Sequence, residues 1–257
     1  MKYVNYTVEN RIGYITLNRP EKRNALNYNF VTELKETFLK ASLDKLVKVV
    51  VLKAEGDSFC AGADLDYLQS LQKNSFEENL EDSMHLMELF KTIYSLNKIV
   101  IAQVQGHAIA GGCGLVSVCD FSFSVHEANF GYTESRIGFV PAIVMVFLIR
   151  KIGEARAKEL LLTGNAIKAK EARDFGIVNW IVDEKELASS VQEFALKLCT
   201  NNSTMSMQLT KEMIGQVQDM SLEDGLNYAC KKNAEARSSE DCKKGIAAFL
   251  GKEKIVW

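Results

Sequence analysis

Residues 104–120, VQGHAIAGGCGLVSVCD, constrain this chain more than any other stretch. The apolar run Ile99–Val104 reads as a buried strand, Gly106 ends it, and a glycine pair follows at Gly111 and Gly112. Leu115, Val116 and Val118 then continue as an apolar helix. A strand, a glycine turn and a helix start in succession leave backbone N–H groups pointing outward without intrahelical partners. A second place of this kind lies at residues 59–65, FCAGADL.

The rest of the chain alternates in the same way. Residues 3–8 and 12–17 are β-type runs around Glu9, Asn10 and Arg11, which predicts an opening hairpin. A polar loop follows at 18–23. From Asn27, a fair N-cap, the apolar positions Phe30, Leu34, Phe38 and Ala41 fall on one helical face. Residues 47–52 form a near-continuous apolar strand, as suits burial on both faces of a parallel sheet. Residues 64–97 read as helical, 98–105 and 120–125 as strands, and 143–152 and 155–163 as helices, with Gly164 as a stop. A short helix at 168–175 ends at Gly176, 177–182 reads as a strand, and everything from Glu184 onward reads as helical. The expectation is an α/β chain of repeated β-turn-helix units. The composition shift near 201–203 divides it into a core of residues 1–200 and a helical segment of residues 201–257. That segment is too short for a strong core of its own, so it should dock on its own domain or on a second subunit.

Several function classes are excluded. The 257 residues carry a net charge of −2, which gives no electrostatic case for nucleic acid. No apolar run approaches the roughly 20 residues of a membrane span. The start, MKYVNYTVEN, has no apolar signal core, and the six cysteines form no C-x-x-C pair. Both point to a cytoplasmic protein with reduced thiols. There is no P-loop, dinucleotide fingerprint, G-x-S-x-G elbow or H-E-x-x-H. The three histidines, His85, His107 and His126, are too widely spaced to suggest a metal site. His107 precedes the glycine turn, where a packing role is favoured over catalysis.

In order along the chain stand LNRPEKRNAL at 17–26, FCAGADL at 59–65, IAQVQGHAIAGGC at 101–113, FGYTESRIG at 130–138, LLLTG at 160–164, GIVNWIV at 176–182 and FLGK at 249–252. Together these resemble the crotonase superfamily, the enoyl-CoA hydratase/isomerase family, over nearly the whole chain. The resemblance implies a spiral of repeated ββα turns with a C-terminal helical trimerisation segment, assembled as a homotrimer or a dimer of trimers. It implies an acyl-CoA substrate whose thioester oxygen is held by the N–H groups of Ala63 and Gly111. An enolate oxyanion needs such donors, and one lost donor costs ~2.7–4 kcal/mol. The CoA adenine would lie against the backbone of Ala61, Asp64 and Leu65. Lys22, Arg23, Ala25 and, more loosely, Lys252 would meet its nucleotide end; the two loop cations could also be a solvated pair. The acyl pocket would involve Tyr67, Gly112, Gly114, Pro141 and Val144. No metal or redox cofactor is implied beyond the CoA of the substrate.

The chain also departs from the family pattern. Hydratases of this family use two glutamates, one of them directly after the glycine turn. Here Gly114 occupies that position, and Glu134 matches the second. Hydration divides base and acid work between two carboxylates. Moving a double bond from C3=C4 to C2=C3 needs one base, which takes a proton from C2 and returns it to C4. Gly114 with Glu134 therefore favours an isomerase, with hydration by Glu134 and a held water as an alternative. The glycine-rich turn often found after the second glutamate is replaced by PAIVMVF at 141–147, which implies an apolar, crowded pocket wall. Decarboxylation or dehydration of a branched acyl group, and a non-catalytic acyl-CoA binder, are further alternatives.

Overall fold

The computed structural model describes residues 3–257. The chain opens with the hairpin β1 (Val4–Glu9) and β2 (Ile12–Leu17), followed by helix α1 (Tyr28–Leu43). Next come β3 (Val49–Ala54), β4 (Ser58–Cys60), α2 (Leu65–Leu71) and α3 (Phe76–Tyr94). A shorter unit follows, β5 (Ile99–Val104), β6 (His107–Ile109) and α4 (Gly111–Val118). The third unit is β7 (Phe121–Val125), β8 (Asn129–Gly131), a 3-10 turn (Glu134–Ile137), α5 (Ala142–Ile152) and α6 (Glu154–Thr163). Then β9 (Ala166–Lys168), α7 (Ala169–Phe175), β10 (Trp180–Val182) and α8 (Glu184–Asn201) close the body. Three helices finish the chain: α9 (Thr204–Val217), α10 (Leu222–Ser238) and α11 (Glu240–Gly251).

The strands alternate between two sheets. One has the order β1-β2-β3-β5-β7-β10 and the other β4-β6-β8-β9. Each of the three middle units thus adds one strand to each sheet, and its helices carry the chain back. This is the expected spiral of ββα turns. Pairing is parallel except at β1–β2 and β8–β9. The apolar strands read from the sequence lie at the centre: Val49, Val50, Val51 and Leu52 are buried beside Ile99, Val100, Ile101 and Ala102. On α1, Asn27 Oδ1 accepts from Phe30 N at 2.9 Å, and Phe30, Leu34, Phe38 and Ala41 are buried as their spacing predicts. The stripe Leu187, Val191, Ala195 and Cys199 buries one face of α8.

Two expectations are revised in detail. Residues 64–97 are two helices, because Ser75 and Glu78 form a capping box that starts α3 afresh. The run 177–182 contributes only Trp180–Val182 as strand, since the N–H groups of Ile177 and Val178 turn back to Ala172 O. In α9, α10 and α11 no residue is buried, and Ile214, Leu222, Leu226, Ile246, Phe249 and Leu250 lie exposed. No helix among the described residues is long and apolar enough to cross a membrane.

Candidate active site

The two glycine turns meet because the strands before them pair. β4 runs parallel to β6, so the turns that follow them emerge at one sheet edge. Gly62 has φ +92°, and a Cβ on it would lie 2.8 Å from Ala110 Cβ and 3.5 Å from Gly111 N. A Cβ on Gly112 would collide with Cys60 O, so the first turn of α4 is pressed against the end of β4. The N–H of Ala63 has no acceptor among the described residues. Gly111 is the first residue of α4, so its N–H is one of the unpaired donors of a helix start. Before it stands Ala110 at φ 51° and ψ −122°, a conformation that costs a non-glycine residue of order 1–3 kcal/mol. Two hydrogen bonds hold it there: Ala110 N donates to Gly131 O at 2.7 Å, and Gly114 N donates to Ala110 O at 3.0 Å. The strained residue stands directly before Gly111, whose N lies beside Gly62, the residue before Ala63.

The polar loop after β2 grips the first turn. Leu26 N donates to Gly62 O at 2.7 Å, Asp64 N to Leu26 O at 2.8 Å, and Ala61 N to Arg23 O at 3.0 Å. Arg19 Nη2 meets Asp64 Oδ2 at 2.7 Å with both side chains nearly buried. Burial pushes the Asp64 carboxyl up, but the Arg19 guanidinium and the N–H groups of Asp66 and Tyr67 outweigh it and hold it below its ordinary value. The Asp64 side chain is therefore committed within the protein, and so is its backbone, whose N–H donates to Leu26 O and whose carbonyl accepts from Leu68 N at 2.9 Å. Lys22 is exposed and pairs with Asp66 at 2.8 Å; Arg23 is exposed and Ala25 buried. Lys252 caps the end of α11, and no hydrogen bond or ion pair among the described residues joins it to this loop.

Glu134 opens the 3-10 turn that follows β8, and β8 pairs with β6. The loop that carries it is thus beside the start of α4. Its Oε2 is buried with no hydrogen-bond partner among the described residues, and burial raises its pKa above the ordinary carboxylate value. Its charge is close enough to be felt by the Cys113 thiol and the Tyr132 hydroxyl. Burial pushes that thiol up to about 12, so Cys113 is an inert neighbour rather than a nucleophile. Tyr132 shares a 2.9 Å hydrogen bond with Ser117 on α4.

Gly114 is fully enclosed. A Cβ on it would strike Val144 Cγ1 of α5 and come within 3.0 Å of Phe90 Cε1 of α3. Phe147 extends this apolar wall, 6.3 Å from Phe90 and 5.3 Å from Tyr94 between ring centroids. Pro141, half-buried, caps α5 at its start. Tyr67 of α2 donates its hydroxyl to Asp82 of α3, and burial followed by that carboxylate raises its pKa. The structure thus brings together Ala61, Ala63, Asp64 and Leu65 with Lys22, Arg23 and Ala25, and joins Gly111 and Gly112 to them. Sequence reasoning missed Arg19, Phe90 and Ala110. Arg19 had a signal, as a cation before Pro20 with an acid in the motif at 59–65. Nothing in an alanine announces a positive φ.

Comparison with known proteins places this geometry in a family. The sequence model of the family described as "Enoyl-CoA hydratase/isomerase" matches residues 7–257. A Thermus thermophilus protein described as "Putative enoyl-CoA hydratase" is 40% identical over 94% of this chain and 95% of its own length. The "Short-chain-enoyl-CoA hydratase" of Clostridium acetobutylicum is 32% identical over 96% of this chain and 94% of its own. A solved structure of an enoyl-CoA hydratase from Mycobacterium smegmatis superposes with a TM-score of 0.93 at 28% identity, covering 99% of this chain and 98% of that one. With the family pattern matched almost end to end, and with paired turns and a buried glutamate at one sheet edge, this chain belongs to the enoyl-CoA hydratase/isomerase family of crotonase-fold enzymes.

Proposed function

We propose that the protein isomerises an unsaturated acyl-CoA, moving a C3=C4 double bond to C2=C3 with Glu134 as its only proton carrier. One observation carries this reading: the space beside Gly114 is filled by Val144 and Phe90, while Glu134 is a buried carboxylate with an unpartnered oxygen. The thioester oxygen accepts from Ala63 N–H and Gly111 N–H. Glu134 takes the C2 proton, and the C–H electron pair moves into the enolate, whose negative oxygen the two donors stabilise. The enolate then collapses, forming C2=C3, while the C3=C4 electrons take the proton from Glu134 at C4. No water, oxidant or net proton is consumed. A carboxyl with a raised pKa accepts and returns a proton near neutral pH more evenly than an ordinary one. The exposed Lys22 and Arg23 and the backbone at 61–65 would meet the nucleotide end of CoA.

A second reading is hydration of a 2-enoyl-CoA, favoured by the names of the relatives. It asks Glu134 to serve with a water held by other groups. The exposed apolar residues of α9, α10 and α11 would be covered in a homotrimer or dimer of trimers under either reading. The test offers trans-3-enoyl-CoA and trans-2-enoyl-CoA of several chain lengths to the protein and to Glu134→Gln. Conversion of the 3-enoyl to the 2-enoyl thioester without water addition, lost in the variant, supports the isomerase. Hydration of the 2-enoyl thioester instead overturns it.

A further inference from the structure

The Ala63 donor sits in a loop with no regular structure of its own. Residue 63 follows a glycine at φ +92° and forms a single isolated bridge, to Leu26. A donor on such a segment holds its aim only if its neighbours are fixed. The segment is anchored on both sides of Ala63, and both anchors lead to one side chain. Gly62 O is bonded by Leu26 N, and Asp64 N is bonded to Leu26 O. Leu26 in turn belongs to a loop held by Arg19, whose Nη1 donates to Ala25 O at 2.9 Å and whose backbone N donates to Asn24 Oδ1 at 2.8 Å. The same guanidinium meets Asp64 Oδ2 at 2.7 Å, with the two side chains 11% and 6% exposed. Asp64 Oδ1 is left to accept from Asp66 N at 3.0 Å, which caps α2. One planar fork thus binds the loop before Leu26 and the residue after Ala63 together.

From this geometry we infer that Arg19 and Asp64 are positioning residues for the thioester oxygen: their buried ion pair aims the Ala63 N–H without touching substrate. The inference rests on the reading of Ala63 and Gly111 as oxyanion donors. A donor that is displaced stabilises developing charge poorly, and misplacement of about 1 Å can cost roughly 100-fold in rate. The same ion pair holds Ala25 and Asp64, beside which the nucleotide end of CoA would lie, so substrate affinity should weaken along with turnover and the thioester band is the readout specific to the donor.

The test uses Asp64→Asn, which keeps an acceptor for Asp66 N but loses the ion pair, and Arg19→Lys, which keeps the charge but not the fork. Arg19→Met removes both. Two quantities are read: kcat against KM on the enoyl-CoA that the protein turns over, and the infrared carbonyl band of a bound saturated six-carbon acyl-CoA labelled with carbon-13 at the thioester. In the unaltered protein the band should shift to lower frequency on binding. In Arg19→Met and Asp64→Asn that shift should shrink and kcat should fall roughly 100-fold. KM should rise as well, because the same loop meets CoA, and Arg19→Lys should recover part of kcat and of the band shift. Folded variants with an unchanged band and unchanged kcat overturn the positioning role. A loss of activity that follows only loss of fold, with the band in place in the folded fraction, overturns it too. An unshifted band in the unaltered protein instead removes the oxyanion reading beneath it. Should Arg19→Met fail to fold, the comparison of Asp64→Asn with Arg19→Lys decides.

Discussion

Val144 occupies the space that any side chain at Gly114 would need: a Cβ there would strike Val144 Cγ1, with Phe90 Cε1 at 3.0 Å behind it. Valine is short and stiff at χ1, so it cannot swing aside cheaply. Gly114→Glu should therefore be destabilised by ~1–3 kcal/mol through overpacking. Adding Val144→Ala should recover much of that loss, a non-additivity that urea unfolding of the two single variants and the double variant reads directly. If the filled space is also what withholds water chemistry, the double variant should hydrate trans-2-enoyl-CoA faster than the unaltered protein. An additive stability cycle would mean that the wall at Val144 yields without cost.

Glu134 should trade stability for activity. A carboxyl whose folded pKa is raised holds its proton more tightly folded than unfolded. Its contribution to stability is full below the unfolded value, ~4.3, and is lost as pH rises through the raised folded value. Glu134→Gln carries no such loss. The variant should thus melt higher than the unaltered protein near neutral pH, with the difference fading in acid, while its turnover falls by a factor of at least about 100. Thermal scans across pH alongside the enoyl-CoA assay check both. A variant that melts lower at neutral pH would mean that Glu134 has a partner when charged.

Much of this arrangement was legible in the sequence, for physical reasons that differ by element. The face of α1 and the buried strands β3 and β5 follow from apolar spacing, because burial is what the spacing encodes. Gly106 after β5 and Gly112 in the first turn of α4 both stand where a Cβ would strike backbone, of Asp57 and Cys60 respectively, which is why glycine marks these places in the sequence. The second sheet escaped the reading, since β4, β6, β8 and β9 have three residues each and no period shows in so few. The strain at Ala110 and the pairing of Arg19 with Asp64 are tertiary facts. They arise only when strands adjacent in space bring distant loops together.

The two central glycines should respond differently to alanine. At Gly112 a Cβ meets Cys60 O, a backbone atom that can move only with β4, so Gly112→Ala should unfold at markedly lower temperature. At Gly111 a Cβ finds Leu26 Cδ1 at 3.6 Å and Gly62 Cα at 3.9 Å, both ordinary contacts. Alanine is also a better helix residue than glycine, by about 0.5–1 kcal/mol in a helix interior. Gly111→Ala should therefore keep its melting temperature. Equal melting losses in the two variants would contradict the approach of α4 to β4 described above.

Just past the far end of α4, a charge pair ties helix α9 to the body. Lys211 of α9 reaches into the body, donating to Lys98 O at 2.9 Å and to Asp120 Oδ2 at 2.7 Å. Asp120 also accepts from Val100 N at 2.7 Å, so it joins α9 to the start of β5. Burial nevertheless keeps the Asp120 carboxyl above its ordinary pKa, outweighing the ammonium beside it. Removing the cation leaves that carboxylate only the Val100 N–H and the charge of Lys151, and breaking a buried pair costs up to ~3–5 kcal/mol. Lys211→Met should lose stability on that scale near neutral pH. The deficit should shrink as pH falls, because a protonated Asp120 no longer needs the ammonium. The double variant Lys211→Met with Asp120→Asn should regain part of the loss, since asparagine can still accept from Val100 N and carries no charge. Urea unfolding of both variants at neutral and mildly acidic pH reads the difference. A Lys211→Met deficit independent of pH, and not relieved by Asp120→Asn, would assign the anchor to the lysine's hydrocarbon stem rather than to its charge.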